Sequence, residues 1–581
     1  MTKVLLSGNE AIARGAFEAG VTLAAGYPGT PSTEILENIA EKYKDVIYAE
    51  WSPNEKVAFE VAAGAALAGA RAIATMKHVG LNVAADPLMT LACIGTVGGF
   101  VAVVADDPGM HSSQNEQDTR HFARFAKIPI FEPSDSEEAK EFVKLALQVS
   151  EEFNTPVILR STTRISHSKS VVHELPRQES DKPVNFVKDP PRFVAVPNWA
   201  RPMRVRVEER MKKLRKYAEN CPVNKIIWQD KTLGIVTSGI AYQYVREVFP
   251  NVSVLKLGMC FPFPDDLIRT FAAGVEKLFI IEELEDFLEE HIKALGITCS
   301  GKESIPNIGE LSPDVLAKKE SVKEPQVERS ATCGLPTLPS RPPVLCPGCS
   351  HRGMFYALGQ LDVVVAGDIG CYSLGTFPPL SRMDTLLCMG AGISLAHGID
   401  KAERNNAKPQ KIVGIVGDST FFHSGITGLL DIAYNKGGST IIVFDNRITA
   451  MTGHQENPGS GRTLMGETTV EASIEEIGRA CGIKNVRTVD PRDIKTAVKI
   501  LKEATDSSEP WLIVSKAPCP LHVRKPLGEP LSVKGTCKKC NLCLKLGCPG
   551  LEKAGDQIRI NGLLCAGCKM CQNVCPAKAI G

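Results

Sequence analysis

Eight of the nineteen cysteines fall in the last 45 residues, in two runs of one design. The first reads Cys537-x2-Cys540-x2-Cys543-x4-Cys548-Pro549, and the second reads Cys565-x2-Cys568-x2-Cys571-x3-Cys575-Pro576. Two-residue gaps let three thiolates converge from one tight loop, so a fourth ligand must arrive from elsewhere. A secreted disulfide scaffold spreads its cysteines through a small domain, and a zinc ribbon uses pairs rather than triplets plus one. The spacing therefore predicts two metal clusters. A segment of this size builds only a small hydrophobic core, and ligation is expected to hold it together.

The rest of the chain is compositionally ordinary. Its 581 residues give a prior of about four domains. Hydrophobic residues at 43% and charged residues at 23% fit globular domains and exclude wholesale disorder. With 67 basic and 66 acidic residues the net charge is +1, which argues against a dedicated nucleic-acid binder. No signal peptide is apparent, and the uncharged stretch from Leu88 to Ala105 is divided by Gly98-Gly99. Its β-branched second half reads as a buried strand after a helix, not as a membrane span. A cytoplasmic chain without membrane contact is expected.

Alternating strand and helix patterns predict α/β units at 1–185, 226–310 and 344–527, and the cysteine-rich unit occupies 528–581. Between them lie 186–225, a linker carrying the basic amphipathic helix 204–219, and the charged, proline-rich linker 311–343. Ser134 to Glu137 reads as a capping box opening a helix that runs to about Val149.

In the third unit, Lys411–Val416 is a strand ending in Gly417-Asp418-Ser419. After a helix, the strand Thr440–Phe444 ends in Asp445-Asn446-Arg447-Ile448. A strand–helix–strand crossover returns the chain to the same carboxyl edge of the sheet, where such sheets bind ligands. A carboxylate and an amide oxygen brought together there suit Mg²⁺, which completes its octahedron with phosphate oxygens and water.

This arrangement resembles the thiamine diphosphate motif, with Ser419 in place of its last glycine. The resemblance implies that Asp418, Asn446 and the Ile448 carbonyl hold the metal. Cys346-Pro-Gly-Cys349-Ser-His351-Arg352, Gly367-Asp-Ile-Gly-Cys371 and Thr449-Ala-Met-Thr452-Gly453 are similar to the diphosphate domain of 2-oxoacid:ferredoxin oxidoreductases. By that likeness Cys371 lies near the thiazolium ring and Thr452 near the coenzyme. Half a zinc site is the rival for Cys346 and Cys349, and it is discounted because no second cysteine pair at ribbon spacing accompanies them. Gly26-Tyr-Pro-Gly-Thr30-Pro-Ser32 and Ser52-Pro-Asn-Glu55 resemble the family's pyrimidine domain. There Glu55 is the activating acid and Thr30 a contact to the substrate carboxylate. The plain alternative for Glu55 is a first-turn residue favoured by the helix dipole. The histidines in or near these loops, His78, His111, His351, His423 and His454, are not ranked.

The tail resembles bacterial two-cluster ferredoxins, in which the cysteine before proline serves the other cluster. That likeness assigns Cys537, Cys540, Cys543 and Cys575 to one [4Fe–4S] centre and Cys565, Cys568, Cys571 and Cys548 to the second. The fourth spacer residue before Cys548, where three are usual, bears on the second centre. The implied architecture is a pyrimidine domain, a transketolase-C-like domain, a diphosphate domain and a ferredoxin domain, in an order similar to the alpha subunits of indolepyruvate:ferredoxin oxidoreductases. The implied reaction converts an aryl pyruvate and coenzyme A to acyl-CoA and CO₂ and reduces ferredoxin. A smaller beta subunit and a dimer of heterodimers complete the expectation. Rival readings are another 2-oxoacid specificity, a non-oxidative thiamine-dependent decarboxylase, and an electron-transfer subunit without its own catalysis.

Overall fold

The computed structural model describes residues 2–180, 184–318, 343–403, 407–523 and 527–581. Most of the linker read at 311–343 therefore lies outside the described residues. The chain divides into two compact units, 1–334 and 335–581.

The first unit is built on a seven-stranded sheet. Its spatial order is Met259–Phe261, Ile130–Phe131, Val157–Thr162, Phe100–Asp106, Ala72–Lys77, Leu23–Gly26 and Tyr48–Trp51. All neighbours run parallel except Met259–Phe261, which pairs antiparallel with Ile130–Phe131. Strands Ala72–Lys77, Phe100–Asp106 and Val157–Thr162 are buried along their whole length, as apolar runs covered on both faces should be. Leu88 to Ala105 resolves into the end of helix Ala85–Ile94 and the strand Phe100–Asp106. Among the described residues no helix is long and apolar enough to cross a membrane.

The helix expected after Ser134 spans Ser136–Phe153, and its cap lies one residue later than the sequence pattern suggests. Asp135 accepts from the Glu138 N–H, while Glu138 Oε2 accepts from both the amide and the hydroxyl of Ser134. Two overlapping boxes were possible, and the carboxylate with the better reach took the N-cap.

A second sheet of the same unit orders Lys277–Ile281, Asp230–Ser238, Val252–Leu257 and Asn224–Ile227, with only the last antiparallel. Buried charge ties this sheet to the first. Arg120, 1% exposed, donates through Nη1 to Glu282 Oε2 at 2.6 Å and through Nη2 to the Glu283 carbonyl at 2.9 Å. Its Nε reaches Asp118 at 2.9 Å. Arg160 donates to Asp106 at 2.6 Å and to Glu132 at 2.8 Å. Burial works against each charge, and the opposed charges of the network offset that penalty.

The second unit centres on a parallel five-stranded sheet ordered Val364–Ala366, Ile412–Gly417, Thr440–Asp445, Trp511–Lys516 and Asn485–Val489. One core cluster joins Phe355, Tyr372, Ile415, Phe444 and Ile513 on one face, and a second joins Ile393, Phe421, Leu429, Val443 and Val514 on the other. The cysteine-rich segment adds the hairpin Leu551–Ala554 and Gln557–Ile560. Its Leu546 and Met570 pack with Ile494 of the helix Ile494–Thr505.

Replacing Arg120 with alanine leaves Asp118 and Glu282 buried without their nearest cation, with Arg160 at 3.9 Å from Asp118 as a weaker substitute. The expected cost is about 3–5 kcal/mol of stability in denaturant unfolding; a change below about 1 kcal/mol would mean that the network relaxes to water.

Candidate functional site

In the first unit the chemistry gathers at the carboxyl edge of the seven-stranded sheet. Glu55 opens the helix Glu55–Leu67, whose N-cap Asn54 accepts from the Val57 N–H at 2.9 Å. Its side chain is turned inward, and the residue is 4% exposed. Gly80 makes that pose possible, since a Cβ there would stand 2.7 Å from both Cγ and Oε1 of Glu55.

Lys77 ends the strand Ala72–Lys77 and is almost fully buried. Burial pulls its ammonium down to about 8, against the opposing charges of Asp107 and Glu55. Lys77 Nζ donates to the Ser112 carbonyl at 2.9 Å, and its stem lies 3.2 Å from the position of a Cβ on Gly29. Ser112 Oγ in turn donates to the Thr30 carbonyl at 3.0 Å. Thr30, Glu55, Lys77 and Asp107 are thus neighbours through shared contacts. Lys77, Asp107 and Gly80 escaped the sequence reading, although a lysine closing an apolar strand at a sheet's carboxyl edge was an available signal.

The second unit places Gly417 opposite Phe444 in the parallel ladder, so Asp418 follows one strand where Asp445 ends its neighbour. Asp418 is pushed up to about 7, first by burial and then by the charge of Asp445. Asp445 is itself raised by burial. Asn457 Nδ2 donates to Asp418 Oδ2 at 3.3 Å. This residue was not anticipated, because the loop carrying it has no fixed spacing from the strand. Asn446 Oδ1 accepts from the Ile448 N–H at 3.1 Å, which shapes the turn that holds both. Ser419 accepts from Thr449 Oγ1 at 2.9 Å and so fastens the strand end to the Thr449–Thr452 loop, a bond that a glycine at 419 could not make. Thr452 is held in turn by Gln455, whose Nε2 donates to its carbonyl at 2.9 Å. Arg447 at 3.7 Å and Lys516 at 3.6 Å answer the charge of Asp445. Asp418 has no ion-pair partner among the described residues, and its carboxylate with the Asn446 amide oxygen beside it is a donor set that fits a hard divalent cation.

A group of thiols adjoins this edge. Cys349 is raised to about 12 and Cys371 to about 11, chiefly by burial, and Cys346 is raised as well. Cys371 feels the charges of Cys519, Cys346 and Asp418, and Cys346 that of Cys519. Cys346 and Cys349 thus have thiol neighbours after all, supplied by distant segments rather than by a second pair. His351 is neutral down to about 4 through burial, with its ring against those of Phe444 and Tyr372. It is a core histidine.

In the cysteine-rich segment, Cys537, Cys540, Cys543 and Cys575 line one small pocket, walled otherwise mainly by apolar residues such as Val533, Leu542, Ile558 and Ile580, with Lys538 and Asn541 at its edge. Cys548, Cys565 and Cys568 each act electrostatically on Cys571, which is pushed up to about 12 by burial and by their charges. Backbone amides reach two of the sulfurs: Ala579 N–H donates to Cys575 Sγ at 3.3 Å and Leu531 N–H to Cys565 Sγ at 3.4 Å. Among the described residues no three His, Cys, Asp or Glu side chains are grouped for a single metal ion. Thiol-lined space with apolar walls suits a larger iron–sulfur cluster.

Residues 14–213 match the family described as pyruvate flavodoxin/ferredoxin oxidoreductase, thiamine diphosphate-binding. Residues 368–515 match the C-terminal TPP-binding domain of thiamine pyrophosphate enzymes. Indolepyruvate oxidoreductase subunit IorA of Methanothermobacter thermautotrophicus is 42% identical over 610 residues, covering 100% of this chain and 97% of its own. The subunit of the same name from Archaeoglobus fulgidus is 40% identical, with the same coverage. That from Thermococcus kodakarensis is 40% identical over 99% of this chain and 96% of its own.

Gly80→Ala should displace the Glu55 carboxyl by steric conflict, at a cost in stability of about 1–3 kcal/mol. Turnover is expected to fall by about tenfold or more while the circular dichroism spectrum is retained. Full activity in this variant would separate Glu55 from the chemistry.

Proposed function

The chain belongs to the family of indolepyruvate oxidoreductase IorA subunits, and from that premise we propose how its residues divide the work of a 2-oxoacid:ferredoxin oxidoreductase. The substrates are an aryl pyruvate, coenzyme A and oxidised ferredoxin. The carboxylate carbon leaves as CO₂, the acyl carbon bonds to the thiol sulfur, the thiol proton is released, and the two electrons freed reduce ferredoxin one at a time. The observation that carries the assignment of the coenzyme is the buried pair Asp418 and Asp445 at the edge that also bears Asn446.

Asp418, Asn446 and the Ile448 carbonyl hold Mg²⁺, and with it the diphosphate of thiamine diphosphate. When bound, this coenzyme supplies the electron sink that decarboxylation of a 2-oxoacid requires. Glu55 holds a proton at the aminopyrimidine ring nitrogen, and a buried carboxyl is suited to sharing it. Lys77 and Thr30 orient the substrate carboxylate, the lysine by charge and the threonine by its hydroxyl. Burial of Lys77 strengthens that attraction by excluding water.

Two [4Fe–4S] clusters supply one-electron carriers. The cavity shared by Cys537, Cys540, Cys543 and Cys575 favours the crossed assignment, with Cys548, Cys565, Cys568 and Cys571 as the other set. Cys346, Cys349, Cys371 and Cys519 offer the same donor chemistry, and iron beyond the content of two clusters would place a further cluster there. A smaller beta subunit completes the enzyme as a dimer of heterodimers. Leu430 and Tyr434, one turn apart on the helix Ile426–Tyr434 and 52% and 82% exposed, are apolar surface of the kind a subunit interface covers.

Asp418→Ala should abolish Mg²⁺-dependent retention of thiamine diphosphate through dialysis and leave the iron content intact. Unchanged coenzyme content would remove Asp418 from the site. Cys575→Ser should damage the centre held by Cys537, Cys540 and Cys543; selective loss of the other centre by EPR spectroscopy would mean that each run ligates its own cluster.

A further inference from the structure

A separate pocket opens at the amino edge of the seven-stranded sheet, away from the carboxyl edge that carries Glu55 and Lys77. It is lined by Ile94 at the end of the helix Ala85–Ile94 and by Phe153 and Asn154 at the end of Ser136–Phe153. Arg192 and the helix Pro197–Glu219 complete its walls, and it holds about 1180 Å³ of empty space in part open to solvent. That helix buries Met203, Val207, Met211 and Leu214 on one side and turns Arg206, Arg210 and Lys213 to the pocket.

Four cations and three carboxylates line the pocket, yet among the described residues none of these cations is paired with a carboxylate. Arg210 Nη1 donates to the Asn154 carbonyl at 3.2 Å and Nη2 to that of Ala92, while its buried Nε has no partner. Arg192 Nη2 donates to the Thr96 carbonyl at 2.7 Å and to Asn154 Oδ1 at 3.1 Å. Among the described residues Arg192, Arg206, Arg210 and Lys213 make no hydrogen bond or ion pair with a carboxylate. Burial and the nearby charge of Arg206 pull Arg210 down to about 10 and also lower Arg192. Glu152, Asp189 and Glu209 also line the pocket and are solvent-exposed, as Arg206 and Lys213 are; Asp189 partly opposes the lowering of Arg192. Capping the last carbonyls of two helices accounts for part of each guanidinium. It leaves the unpartnered Nε of Arg210, the whole head of Arg206 and Lys213 without a role.

We propose that this pocket binds a small molecule carrying a diphosphate, held by Arg206, Arg210 and Lys213, with its carbon portion against Ile94 and Phe153. Guanidinium groups grip phosphate oxygens in pairs and keep their charge at any physiological pH. An adenosine diphosphate moiety has this chemistry, whether as a free nucleotide or as the nucleotide end of coenzyme A.

Arg206→Ala/Lys213→Ala removes two exposed side chains that make no hydrogen bond among the described residues, so the fold should survive. Calorimetric titration of the intact enzyme, with its partner subunit, against pyrophosphate, ADP and coenzyme A tests the site. Pyrophosphate and ADP should bind, and the double variant should weaken both by about tenfold or more. If ADP competes with coenzyme A, and the variant raises KM for coenzyme A without changing kcat, the occupant is the coenzyme A tail. If ADP binds without competition, it is a free nucleotide. Absence of heat with pyrophosphate and ADP up to about 1 mM, a weak limit on affinity, or affinities unchanged in the variant, would overturn the proposal and leave these arginines as helix caps alone.

Discussion

The second unit depends on a guanidinium buried without a carboxylate. Arg352, 2% exposed, donates to the carbonyls of Leu345 and Cys346 on the thiol loop and to those of Leu546 and Gly547 in the cysteine-rich segment. Hydrogen bonds from a charged donor are each worth about 1.5–3 kcal/mol, so this side chain fastens the last 50 or so residues to the sheet. Leu546 and Gly547 belong to the longer spacer before Cys548, and Gly547 adopts a left-handed φ of +63°. The carbonyls of that spacer are thereby a docking point for Arg352. Burial lowers the pKa of Arg352, while negative charge on Cys349, Cys548 and Cys346 raises it. Thiolates formed on metal binding would thus stabilise the clamp itself, coupling ligation to the attachment of the segment.

The same economy of charge governs the strand edge at Asp418. Burial raises both Asp418 and Asp445, but only Asp445 has cations, Arg447 and Lys516, to oppose the shift. Asp368, also raised to about 7 by burial, accepts from the Gly392 N–H at 3.0 Å nearby in the same unit. Carboxylates buried in this way cost stability, a common trade at sites that serve function.

Local features were legible in the sequence, and convergent ones were not. The grouping of the cysteines could be read because three of each run lie within seven residues, and that of Asp418 and Asn446 because a crossover fixes both strand ends. The place of Glu55 at the start of a helix was legible, whereas Gly80, which gives its side chain room, lies beyond the next strand and has no spacing rule. Cys519 joins Cys346 and Cys371 only through the stacking of strand Trp511–Lys516 into the sheet. The same holds for Lys77, whose contacts with the Thr30 loop run through Ser112. The capping pattern at Ser134 was read one residue early because serine and aspartate there compete for one role.

Met259–Phe261 adds an antiparallel strand to a sheet whose other members all lie before residue 163. During synthesis, Ile130–Phe131 emerges long before this partner does, and its outer backbone groups wait unpaired while the intervening chain is made. At ordinary elongation rates of about 5–20 residues per second, the 128 residues added after Phe131 up to Met259 take roughly 6–26 s. The nascent chain carries an open sheet edge for this interval, a place where a chaperone or another copy of the chain could attach before the protein closes it itself.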